Sequence, residues 1–136
     1  MAGSSVFAYQ GNGRCVVRSR DGQGQVVMDA PPHCGGSGEN WTPGDWLGFA
    51  FAGCVIISMD TAAKKDGFAV AGAIVEIEVQ MGGGPPPKVT LLKAVVRLPR
   101  PLADEQVKAL EQAAHMCPIH NSMAAGTDVR VEIIAG

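Results

Sequence analysis

Between Arg20 and Lys64 the chain has neither lysine nor arginine. It also lacks a basic stripe interleaved with aromatics, and its net charge is −2, so the electrostatic footprint of a nucleic-acid binder is missing. The first residues, MAGSSVFAYQGNGR, contain no long apolar core of the secretory type, which makes the cytoplasm the expected compartment. Cysteines are few: Cys15, Cys34, Cys54 and Cys117 are too sparse for a disulfide scaffold. In a reducing compartment such residues are buried, metal-binding or redox-active. GxSxG, P-loop and HExxH patterns are absent, which removes the common hydrolase, nucleotide and zincin signatures. No repeat and no dividing linker is visible, so residues 1–136 are expected to form one domain.

What is present is organised around WTPGDWLGFAFAGCVIISMDTAAKKDG, Trp41 to Gly67. Thr42 fits an N-cap, Pro43 the first helical position and Asp45 the third. Lys64 and Lys65 suit the last turn, and Gly67 the exit. From Leu47 to Met59 only Ser58 is polar, so this helix has no solvent face and is expected to be buried on every side. Asp45 and Asp60 bracket an apolar run shorter than the roughly 18 to 20 residues of a membrane span, which argues against one. One small sheet covers such a helix poorly, so a homodimer with two such helices at its centre is expected.

The remaining pattern is that of an α+β chain. Residues 4–9, 14–20 and 25–29 read as an antiparallel meander with turns at Gly11-Asn12-Gly13 and Asp21-Gly22. A Pro/Gly-rich loop carrying His33 and Cys34 leads to the long helix. Residues 69–81 and 88–98 read as strands joined by a GGGPPP tip, the second placing Leu92, Ala94, Val96 and Leu98 on one face. A second amphipathic helix is expected over 103–116, with Cys117 at its end beside the helix-stopping Pro118, and a last strand over 128–135.

Cys54 and Cys117 both fall on apolar helical positions, where a thiol is commonly a small hydrophobe. Alternatively they form a redox pair from two packed helices, which requires their α-carbons to come within about 4.4 to 6.8 Å. A buried mid-helix cysteine needs a cation to become a thiolate. The candidates are Arg14, Arg18 and Arg20, residues elsewhere in the fold, or a second subunit. An arginine in that role requires a carboxylate to hold it. Asp45 stands nine residues before Cys54, roughly 13 Å along a straight helix, so it can anchor an arginine but not touch the sulfur. Its plainer reading is a capping carboxylate. A metal reading of His33-Cys34 and of Cys117-x2-His120 with His115 lacks paired ligand spacing, and no metal is assigned.

TPGDWLGFAFAGC and HMCPIHNSM resemble the two cysteine-centred signatures of the osmotically inducible and organic hydroperoxide resistance (OsmC/Ohr) family, nearest its OsmC-like branch. VVMDAPPHCGGSGEN resembles that family's strand and Gly-rich loop, and LPRPLADEQVKALEQAA its second helix. The resemblance implies an intertwined homodimer, antiparallel sheets packed around two long central helices, and active sites at the interface. It implies that Cys54 is the peroxidatic thiolate for an organic hydroperoxide and that Cys117 closes a disulfide with it. It further implies that a small dithiol or lipoylated protein restores the pair without a bound cofactor. Arg14, with Arg18 second, matches the family's N-terminal arginine, and Asp45 its helix-start carboxylate.

Two departures bear on this reading. Gly44 occupies the carboxylate position of the Ohr branch, and Trp46 and Phe51 stand where the family is aliphatic or small. Trp46, Phe49, Phe51 and Met59 are the expected walls of a pocket favouring bulky organic peroxides. The alternative is a dimeric binding or stress-associated protein that keeps the fold with weak or no peroxidase activity.

Overall fold

A computed structural model describes residues 7–18, 24–124 and 126–136. The chain divides into two units, residues 1–46 and 47–136. The expected strand residues 4–6, 19 and 20 and the Asp21-Gly22 turn lie outside the described residues.

The first unit contains β1 (Phe7–Gly11), β2 (Arg14–Arg18) and β3 (Gln25–Asp29) as an antiparallel sheet in that order. The β1–β2 reversal needs left-handed backbone at Gly11, Asn12 and Gly13, and glycine or asparagine supplies it at each position. In the β2–β3 register Arg14 lies directly opposite Asp29 and Cys15 opposite Met28. A 3-10 turn at Pro32–Cys34 follows, and the chain then enters α1 (Pro43–Lys65). Four residues of that helix belong to this unit.

The second unit is built on the rest of α1. Gly48, Phe51, Ala52, Val55, Met59 and Ala63 are buried, one stripe at helical spacing. Its opposite side is not covered by the described elements of this unit, where Ile57 is 67% exposed, so the burial expected all round is met on one face only. By length and composition α1 qualifies as a membrane span, yet Phe51, Val55, Met59 and Ala63 are wholly enclosed by protein.

β4 (Ile74–Gly82) and β5 (Lys88–Leu98) form the hairpin expected around GGGPPP. β4 begins later than the expected residue 69, because the chain turns at Gly72, whose φ is +89°. Ala73 donates to the Val70 carbonyl within that turn at 3.1 Å. α2 (Asp104–Ala114) and a short helix absent from the sequence reading, α3 (Pro118–Met123), lead to β6 (Asp128–Ala135).

β6 pairs with β5 in parallel, which corrects the expectation of antiparallel sheets throughout. A connection holding two helices carries the chain back to the starting end of β5, so the strands run the same way. The sheet order is β4-β5-β6, with β5 central. Leu92, Ala94, Val96 and Leu98 on β5 pack with the α1 stripe and with Leu110, Ala113, Ala114 and Cys117 in one core.

Candidate functional site

The thiol pair belongs to the second unit. Cys54 sits on α1, half-buried, and packs against the core that encloses Cys117. Cys117 is 0% exposed. Pro118 ends the helical geometry of α2 and opens α3, so residue 117 takes an extended conformation at the new N-cap. There its sulfur accepts the His120 backbone N–H at 3.4 Å. Burial pushes the Cys117 thiol above its ordinary value, and a hydrogen-bonding interaction with Cys54 pushes the same way; the His120 amide opposes both. The two cysteines, far apart in sequence, are therefore neighbours in one core, both as free thiols. The buried partner is held protonated and the other is partly open to solvent.

Phe51 and Met59, expected as pocket walls, are instead fully enclosed core residues of the α1 stripe. Phe49 is half-buried in the second unit, and Trp46 half-buried in the first. An open groove of about 700 Å³ runs between α1 and α2, lined by Ile57, Thr61 and Ala62 on one side and Ala109, Ala113 and Met116 on the other. Neither cysteine is among its lining residues. Its apolar wall is the face of α1 left uncovered within this unit.

In the first unit, Asp45 does what the capping reading expects. The Thr42 backbone N–H and hydroxyl donate to Asp45 Oδ2 at 2.9 and 3.0 Å, and the Asp45 N–H donates to Thr42 Oγ1 at 3.2 Å. Asp45 therefore does not hold the arginine. Arg14 donates through Nε and Nη2 to the two oxygens of Asp29 at 2.7 and 2.9 Å, and through Nη2 to Glu39 at 2.9 Å. Asp29 is 1% exposed. It also accepts the Ser37 hydroxyl at 2.9 Å and the side chain and backbone N–H of Asn40 at 2.9 and 3.1 Å. Arg14 and then Asn40 hold the Asp29 carboxyl well below its usual range, and Asp29 and Glu39 raise Arg14 further.

Sequence reading missed Asp29, Ser37, Glu39 and Asn40. The available signal was an aspartate closing an otherwise apolar strand, VVMD, in a chain whose preceding strand opens on arginine. Cys15 is half-buried in β2, and Cys34 is exposed in the 3-10 turn. His115 and His120 meet edge to face with ring centres 5.2 Å apart. Among the described residues no group of three or more His, Cys, Asp or Glu side chains is gathered to hold a metal ion.

An α+β fold with a thiol pair drawn from a long core helix and from the segment after a second helix defines a recognisable class of protein. Residues 36–132 match the family model described as OsmC-like protein, and the chain belongs to that family. It is 29% identical over 110 residues to an uncharacterised protein of Acinetobacter baylyi, covering 80% of this chain and 77% of the relative. A crystal structure from Psychrobacter arcticus, described as an osmotic stress induced and detoxification response protein, superposes with a TM-score of 0.89 at 24% identity. The match covers 98% of this chain and 96% of that one. The organic hydroperoxide resistance protein OhrB of Bacillus subtilis superposes with a TM-score of 0.71 at 20% identity, covering 96% and 97%. At these identities the two structures establish the shared α+β fold.

Proposed function

We propose that the protein is a thiol-dependent peroxidase of the stress response that reduces organic hydroperoxides through Cys54 and Cys117. The observation that carries this reading is the thiol pair, with a half-buried Cys54 against a fully buried, protonated Cys117. In the first step the Cys54 thiolate attacks the peroxide O–O bond. One oxygen joins the sulfur as a sulfenic acid, and the other leaves as the alcohol after taking a proton. In the second step Cys117 attacks the sulfenic sulfur, its thiol proton leaves with the hydroxyl as water, and the disulfide forms. A small dithiol or a lipoylated protein then reduces the disulfide by exchange. The active form is a cytoplasmic homodimer in which a second copy covers the open face of α1.

The test is stopped-flow consumption of cumene hydroperoxide and, separately, hydrogen peroxide, followed by mass mapping of disulfides. Faster consumption of the organic peroxide with a Cys54–Cys117 bridge is the expected result. Cys54→Ser should abolish turnover, and Cys117→Ser should leave Cys54 carrying two added oxygens. Retained turnover in Cys54→Ser overturns the proposal.

A second reading, a dimeric binding protein with weak or no peroxidase activity, draws on a specific observation. Arg14 and Asp45, the two activating groups expected from the family resemblance, are engaged with Asp29 and Glu39 and with Thr42 respectively. It requires a Cys54 that titrates like a free thiol. A thiolate fully formed well below pH 7 excludes it.

A further inference from the structure

We propose that Arg14 and Asp29 form a latch that seats loop 30–42 on the β2–β3 hairpin and fixes the first turn of α1. The inference rests on the thiol reading only where thiol chemistry is the readout. The latch itself is built from geometry within the first unit.

Among the described residues every donor that meets Asp29 comes from Arg14 on β2 or from the loop, so this carboxylate ties strand to loop. The backbone repeats the tie. Asp29 N–H donates to the Trp41 carbonyl at 3.2 Å, and Ala30 N–H to the Gly13 carbonyl at 2.7 Å. Between them the loop presses Gly36 onto Ala30 so closely that a β-carbon at Gly36 would lie 1.6 Å from the Ala30 oxygen. Asn40 and Trp41, both bonded to Asp29, directly precede the Thr42 cap. The residues leading into α1 are thus tied to Asp29 through both its buried carboxylate and its backbone.

A buried carboxylate needs a counter-charge as well as neutral donors. Arg14 supplies it in a two-pronged form that a lysine ammonium does not reproduce. The guanidinium faces two carboxylates, Asp29 and the 72% exposed Glu39, so the cluster is net negative. A net negative cluster does not favour a thiolate. The chemistry of Arg14 is therefore spent inside its own unit.

The test combines amide hydrogen exchange across residues 30–46 with the pH dependence of Cys54 alkylation by iodoacetamide, in the reduced full-length protein. In Arg14→Gln and in Asp29→Asn, exchange at residues 37–42 should rise at least ~tenfold, with the double variant no faster than the faster single variant. The alkylation midpoint of Cys54 should stay where it is in wild type. Glu39→Gln removes only the exposed partner and keeps the buried pair, so it should leave both exchange and midpoint unchanged even if the other variants unfold. Unchanged loop exchange in folded Arg14→Gln overturns the latch. So does a midpoint that rises in Arg14→Gln, or one that falls in Glu39→Gln as a freed arginine turns to the thiolate. Neither readout uses peroxide, so failure of the peroxidase reading would leave the loop result standing.

Discussion

A carboxylate only 1% exposed has to be met by donors, and Asp29 gathers them from β2 and the following loop. Because folding holds its carboxyl below its ordinary value of 3.8, the unfolded chain binds a proton there first as the pH falls. The stabilisation is full above that value and is lost in acid as the pH drops toward the folded-state value. Melting temperatures followed by circular dichroism should therefore fall steeply in acid for wild type. Asp29→Asn should start lower at neutral pH and change less. Cys117 has the opposite sign: its thiol is pushed above its ordinary value of 9.0, so the stability it lends is present below that value and is lost as the pH rises beyond it. Cys117→Ala should melt with a weaker alkaline dependence than wild type. The Arg14–Asp29 pair was partly legible, since antiparallel pairing of two successive strands brings the first residue of one beside the last residue of the other. That the loop would fold back onto the same carboxylate was not legible, because Ser37, Glu39 and Asn40 look like ordinary loop polarity.

At the scale of elements, α1 was legible from its cap, its apolar run and its exit glycine. Its neighbours explain why particular residues along it are small or large. A β-carbon at Gly48 would lie 2.8 and 2.9 Å from methyl groups of Val79 and Ile77 on β4. Gly48→Ala should therefore cost about 1–3 kcal/mol through overpacking, despite its better helix propensity. Phe51→Ala, which empties the centre of the core stripe, should cost about 3–5 kcal/mol. Urea unfolding curves check both. The strands at 25–29, 88–98 and 128–135 match their expected bounds because alternation and turn residues frame them. α3 escaped notice because Pro118 reads as a helix stop, and the same proline is equally suited to begin a helix. Strand direction was also hidden, since alternation specifies faces and not partners.

For the whole molecule, the membership that two cysteine-centred signatures implied is shown by the family match over residues 36–132. The uncovered side of α1 is the observation behind the proposed dimer: a helix with no polar face keeps Ile57 67% exposed within one chain. Light scattering should report twice the 14.1 kDa chain mass, and Ile57→Glu should shift the population toward single chains. Wild-type protein that stays at one chain mass across concentration would remove the dimer from the proposal. Within its unit α1 meets the burial expectation on one face only, and the proposed second copy would supply the rest.

The cap on α3 has a practical consequence. Because the His120 backbone N–H points at the Cys117 sulfur, the resonance of that amide reads the chemical state of the sulfur in isotope-enriched, unmutated protein. Thiol, thiolate and disulfide differ in what they offer as acceptor, so one nitrogen–proton cross-peak should take three positions. In the proposed cycle the chain carries its own gauge, and oxidation and recovery should be readable in real time without a probe attached to either cysteine.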